Sequence, residues 1–226
     1  MKNTARKIVT IDGPSGVGKS TISKRVAASL SFTYLDTGAM YRSVGYKLQE
    51  SNVDLEDGSA VQQCLDGISL RLLPAASKNS EVRVILDDED ISHAIRSSEM
   101  SMLASKVSAI PAVRKTLTRM QREIGGKGHI VAEGRDTGTV VFPAALWKFY
   151  LDAAPEERMR RRAAQLREVG KEVDEKELLE MIIKRDRNDQ NRSIAPLCKA
   201  EDAISIDTSS LSIDEVVQEM LAKITT

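Results

Sequence analysis

Residues 8–26, IVTIDGPSGVGKSTISKRV, decide the fold. A β-branched apolar run, Ile8 to Ile11, leads into Gly13, Pro14, Ser15, Gly16, Val17, Gly18, Lys19, Ser20 and Thr21. Apolar residues at helical spacing follow, at Ile22, Val26, Ala27 and Leu30. The pattern GxxxxGK[ST] between a strand and a helix is that of a phosphate-binding loop. Such a loop folds its backbone N–H groups around an anion, which requires torsion angles that a Cβ obstructs. The helix that begins there adds the positive end of its dipole, Lys19 reaches toward the outer phosphates, and the Ser20 hydroxyl is placed to ligate Mg²⁺. A nucleoside triphosphate is the expected ligand.

The bulk composition narrows the class. A chain of 226 residues with 41% apolar and 4% aromatic residues fits one helix-rich α/β domain. Lys plus Arg equals Asp plus Glu at 33 each, so no basic excess exists to attract DNA or RNA. Cys64 and Cys198 are far apart with no CxxC spacing, which argues against a zinc site or a disulfide framework. His93 and His129, the two histidines, stand in no triad or metal spacing. No apolar run reaches the length of a membrane span, and the N-terminal stretch lacks the apolar core of a signal peptide. A cytoplasmic protein without membrane or nucleic-acid partners is expected.

Five short apolar runs, KIVTID, FTYLD, HIVAEG, KFYLDA and AISIDTS, alternate with helical patterns at Ala39–Glu50, Pro111–Ile124, Pro155–Val169, Asp174–Asn188 and Ser212–Ile224. That alternation predicts a doubly wound parallel sheet with its ligands at the carboxyl ends of the strands. Two segments break the rhythm. Between Asp57 and Ser98, ISLRLL and EVRVILDDEDIS alternate like strands of a separate antiparallel sheet joined by PAASKNS. Pro155 to Ile194 holds two charged helices joined at VGKEVD. Alone, it reads as a lid or as a pair of solvated helices with i,i+4 ion pairs.

Arginines gather where a second anion would sit. Arg158, Arg161 and Arg162 share a helical face, as do Arg185, Asp189 and Arg192. DTGAMYR places Asp36, Thr37 and Arg42 after the second strand, and EGRDTG places Glu133, Arg135 and Asp136 after the third. Taken alone, each of these turns is equally a helix cap beside a surface arginine. Behind a phosphate loop, planar guanidinium forks suit the charge that spreads over a moving phosphoryl group. Two phosphorylated ligands are therefore expected.

The set GPSGVGKST, YLDTGAMYR, AIPAVR, EGRDTGTVVFP, PEERMRRR and KRDRNDQNRSIAPL resembles the bacterial cytidylate kinases in order and spacing, from residue 8 to the C-terminal helix. The later motifs are far more specific than the phosphate loop, which many families share. The resemblance implies an α/β nucleoside monophosphate kinase fold with a five-stranded parallel sheet. It implies a core of residues 1–56, 125–154 and 195–226, an inserted NMP-binding region at about 57–124 and a helical lid at about 155–194. It implies transfer of the γ-phosphoryl of ATP, with Mg²⁺, to CMP or dCMP; a monomer is expected. Residues 13–21 would hold ATP. Arg42, Arg135 and Arg192 would grip the CMP phosphate, near Thr37. Ser105, Arg114 and Asp136 would read the cytosine, and Arg185 and Asp189 would hold the sugar. Arg158, Arg161 and Arg162 would close on the transferring group, and Asp36 would orient the nucleophile or a Mg²⁺ water. Thr37 stands where a serine is common and keeps the hydroxyl. Glu133 stands where an aspartate is common, a longer carboxylate of open role.

Two other classes share the phosphate loop. A GTPase switch would carry NKxD and a DxxG turn, yet no Asp here has Gly three residues later and NKxD is absent. A kinase for another small acceptor, such as UMP or shikimate, differs only in what the acceptor side recognises.

Overall fold

Residues 7–73 and 82–224 are described by a computed structural model. In chain order they form β1 (Ile8–Asp12), α1 (Lys19–Leu30), β2 (Thr33–Asp36), α2 (Thr37–Glu50), α3 (Gly58–Leu65), β3 (Leu70–Leu73), β4 (Arg83–Leu86) and β5 (Glu89–Asp90). A 3₁₀ turn (Ala94–Arg96), α4 (Ser98–Val107), α5 (Pro111–Gly125), β6 (Ile130–Gly134) and a π-helical turn (Thr137–Val141) follow. The chain closes with β7 (Trp147–Asp152), α6 (Pro155–Glu168), α7 (Glu175–Asn191), β8 (Ile204–Asp207) and α8 (Ile213–Ile224).

The five predicted strands make one parallel sheet in the order β2-β6-β1-β7-β8, flanked by helices. Strand β1 lies at its centre, in parallel register with β6 (Val9 opposite Val131) and β7 (Ile11 opposite Phe149). Because side chains alternate across a strand, Val9, Ile11, Phe149, Leu151 and Ile206 share one face. There they pack against Ile22 and Val26 of α1 and Val216, Val217 and Met220 of α8. The helices contribute residues spaced three and four apart, the stripe that a core-facing helix needs. Burying this apolar surface anchors both ends of the phosphate loop, since β1 enters it and α1 leaves it.

Contacts divide the chain into two units, residues 1–34 with 128–226, and residues 35–127. In the second, α2 packs on α3, α4 and α5, and β3, β4 and β5 form a small antiparallel sheet. This unit begins at residue 35, ahead of residue 57 where the strand pattern breaks, because α2 buries Met40, Val44 and Leu48 and packs tightly on α4. A Cβ on Gly45 would stand 3.0 Å from Leu103 Cγ. The run EVRVILDDEDIS is not one strand. Asp87 and Asp88 both take left-handed backbone angles (φ 48° and 69°), the two-residue turn that matches the twist of a hairpin, and they separate β4 from β5. The predicted PAASKNS connection lies outside the described residues.

Candidate active site

The phosphate loop is a tight turn held against its neighbours. Gly13 has φ +149° and passes so close to β7 that a Cβ there would stand 2.1 Å from the Leu151 carbonyl oxygen. Only glycine fits. Lys19, the first residue of α1, is 8% exposed, and its ammonium donates to the Pro14 carbonyl. Burial and the adjacent Arg135 guanidinium hold its pKa well below the ordinary lysine value. Ser20 and Thr21 are exposed on the first turn of the helix.

Cations meet this loop from α6 and α7. Arg158 donates from Nη1 to the Ser15 carbonyl (3.1 Å) and from Nε to the Ala153 carbonyl (2.9 Å), and Arg185 donates from Nη1 to the Ser15 hydroxyl (3.1 Å). Arg161 lies on the next turn with different partners, Glu157 and the hydroxyl and carbonyl of Thr208. Arg162 reaches Gln165 (3.3 Å). Thus the three arginines of one helical face serve three distinct places, and the bland picture of a solvated helix describes only part of it. Exposed Arg160 does pair with Glu157 at i,i+3.

The turn after β6 is anchored by a residue that the sequence pattern left unmarked. Asp12, at the end of β1, accepts from Thr137 N (2.9 Å), Thr137 Oγ1 (2.8 Å) and Gly138 N (2.8 Å). Burial raises its pKa, against the pull of those hydrogen bonds. Its partners are more than 120 residues away in the chain, so the DG pair after the first strand was the only local hint. The anchored turn presents Arg135 and Asp136. Arg135 Nε donates to Asp189 Oδ2 (2.8 Å), and Arg192 Nη2 lies 3.3 Å from Asp136 Oδ1. Burial works against the charge on Arg135, but Asp189, then Asp186 and Glu133, raise its pKa above the ordinary value. Thus Arg185, Asp189 and Arg192, which share a helical face in sequence, reach Ser15, Arg135 and Asp136 respectively. Glu133 accepts a hydrogen bond from the Tyr34 hydroxyl.

The second unit carries the remaining sequence-predicted residues. Asp36 caps α2 by accepting from Ala39 N (2.8 Å), and its other oxygen lies 3.3 Å from Arg42 Nη2. Thr37 is buried in the first turn. Arg114, buried at the start of α5, donates to the Ser108 carbonyl (3.1 Å), and its guanidinium lies 5.6 Å from the centre of the Tyr41 ring. Ser105 stands on α4, where its own carbonyl accepts the Ser108 hydroxyl (2.7 Å).

Mg²⁺ prefers oxygen ligands and is commonly held by one or two protein groups together with substrate phosphates. Among the described residues no three His, Cys, Asp or Glu gather as a cage. The exposed Ser20 hydroxyl beside the phosphate loop fits a metal carried in largely by its nucleotide. No helix among the described residues is long and apolar enough to cross a membrane.

Comparison with known proteins identifies the family. The family model described as cytidylate kinase matches residues 9–226. A cytidylate kinase of Carboxydothermus hydrogenoformans is 46% identical over 213 residues, covering 94% of this chain and 95% of that protein. A bifunctional pantoate ligase/cytidylate kinase of Synechococcus elongatus is 44% identical over 218 residues, 96% of this chain and 41% of that longer protein. Among solved structures, a shikimate kinase from Bacteroides thetaiotaomicron superposes with a TM-score of 0.50 at 13% identity, covering 98% of this chain and 100% of its own, a likeness of fold alone. With its phosphate loop, its arginine set and a family match from residue 9 to residue 226, the chain belongs to the cytidylate kinase family.

Proposed function

We propose that this chain transfers the γ-phosphoryl group of ATP to CMP or dCMP, releasing ADP and CDP or dCDP. The observation that carries the reading is the buried Lys19 at a phosphate loop that Arg158 and Arg185 also contact, in a chain of this family. Phosphoryl transfer leaves little covalent work to the protein, so positioning and charge stabilisation supply most of the rate.

In this reading residues 13–21 bind the triphosphate, and Lys19 exchanges the Pro14 carbonyl for phosphate oxygens. Bound Mg²⁺ would neutralise the outer phosphates, with Ser20 as its protein ligand. Arg42, Arg135 and Arg192 take the acceptor phosphate, with Thr37 beside it. Asp36, as the cap of α2, holds Arg42 in place. Arg114, Ser105 and Asp136 recognise the base, Arg185 and Asp189 the sugar, and Arg161 and Arg162 the transferring group. No general base is needed, because the acceptor is a phosphate oxygen already anionic near neutral pH. The experiment is to follow the label of γ-labelled ATP incubated with CMP. It is expected in CDP, and its release as inorganic phosphate would make the protein a hydrolase.

The depressed pKa of Lys19 gives a pH dependence. A bound polyphosphate favours the ammonium and raises that pKa again. ATP affinity is therefore full below the depressed value of the free protein and is lost as pH rises through it toward the bound-state value. Calorimetry of ATP-analogue binding in two buffers of different ionisation enthalpy is expected to show Lys19 taking up a proton in the window between its free and bound pKa values and not below it. Equal heats throughout would mean that Lys19 is charged at all these pH values.

A further inference from the structure

We infer that Asp186 is a positioning residue, which sets the phosphate loop by holding Arg158 against it. The inference rests on the proposed reading of that loop as the ATP site. Arg158 is 3% exposed and Asp186 8% exposed, and Arg158 Nη1 lies 2.6 Å from Asp186 Oδ2. The same Nη1 donates to the Ser15 carbonyl, and Nε to that of Ala153. Arg158 is thus spread over two backbone carbonyls and one carboxylate.

The backbone packing is equally close. A Cβ on Gly16 would stand 3.1 Å from Arg158 Cβ, so the first turn of α6 lies directly against the loop. Arg185, the neighbour of Asp186 on α7, grips the hydroxyl of Ser15 while Arg158 grips its carbonyl. One loop residue is thereby held from two helices.

A guanidinium cannot shed its proton, so burying it requires an anion. Without the Asp186 carboxylate, the strongest anion on offer would be the nucleotide itself, and Arg158 would be drawn off the Ser15 carbonyl toward it. Asp186 keeps Arg158 committed to the loop. Its second oxygen, Oδ1, is buried without a hydrogen-bond partner among the described residues, an expensive arrangement for a group that merely filled space. Held in this way, Arg158 stays off the transferring phosphoryl, and that role falls to Arg161 and Arg162.

A cradle for the donor binds ground and transition states alike, so its distortion raises KM more than it lowers kcat. Asp186→Asn keeps the shape and removes the charge. It is expected to raise the KM for ATP and the Kd for ADP with Mg²⁺ by on the order of tenfold to a hundredfold, the scale of small misplacements of reacting groups. KM for CMP rises less than KM for ATP, because Asp186 acts on Arg135 only through its charge and on Arg158 by direct contact, and Asp186→Glu recovers part of the loss. Should Asp186→Asn fail to fold, the paired variant Arg158→Met with Asp186→Leu removes the whole buried ion pair, a change that is often tolerated. It is expected to show the same rise. An unchanged KM for ATP, a fall in kcat alone, or equal rises in both KM values would overturn the role of Asp186. Failure of the wild type to bind ADP would instead overturn the reading of the loop.

Discussion

Lys19→Ala is expected to lower kcat by about a thousandfold while the circular dichroism spectrum stays that of the wild type. Removing one preorganised charge or donor from a transition state costs on the order of a hundredfold to a thousandfold, and single cations in phosphoryl transfer reach further. Lys19 lies at the upper end because it is buried, where a charge interacts more strongly than in water. The fold should survive, since the ammonium donates to the carbonyl of Pro14 in its own loop, and burial already disfavours its charge. Turnover near the wild-type value would show that this loop is not where transfer occurs.

In Asp136→Asn the preference for CMP over UMP is expected to shrink by about tenfold or more, the share of one mismatch, while the share carried by Arg114 remains. Cytosine offers an N4 amino donor beside acceptors at N3 and O2, whereas uracil presents an O4 acceptor and an N3–H donor. A carboxylate accepting from N4 therefore meets a second acceptor when uracil is bound, and Arg114, as a donor to N3 or O2, meets a second donor. Each lost hydrogen bond to a charged group costs about 1.5–3 kcal/mol, and about 1.4 kcal/mol is a factor of ten. An amide can turn its NH₂ toward O4 and relieve the first mismatch. The geometry offers a competing role, because Asp136 faces Arg192 across 3.3 Å with both side chains buried. If holding Arg192 is its whole function, kcat/KM falls alike for both acceptors. Measuring both substrates on the variant separates the two roles.

How much of this was legible in the sequence depended on how local the signal was. The five core strands and the helices between them follow from short apolar runs and helical spacing, and the structure places them within a few residues of those limits. Helices α3 and α4 do not stand out in the sequence although each has a capping side chain, Asp57 and Ser97, because the alternating runs beside them dominate the pattern. The second unit begins before residue 57 because helix packing, which a linear pattern does not record, draws α2 into it. At the site, the loop and the arginines were legible as types, but their partners were not. Asp12 and Asp186 are each defined by partners distant in the chain or on another helix, and inside the charged run KRDRND nothing distinguishes a buried aspartate from a solvated one. Arg158 carries the same lesson. Charge spacing placed it correctly on a face with Arg161 and Arg162, while its burial against Ser15 sets it apart from them.

The most direct test of the central claim is the ratio of kcat/KM for CMP to that for UMP, measured on the wild-type protein by ADP release from ATP. The proposed recognition of the cytosine face by Asp136 and Arg114 sets the expected ratio at on the order of a hundred or more, because sites built to pair with a substrate's polar groups strongly reject analogues that cannot pair. Equal use of the two acceptors, or ADP release that needs no acceptor, would contradict the assignment of this chain's activity to cytidylate.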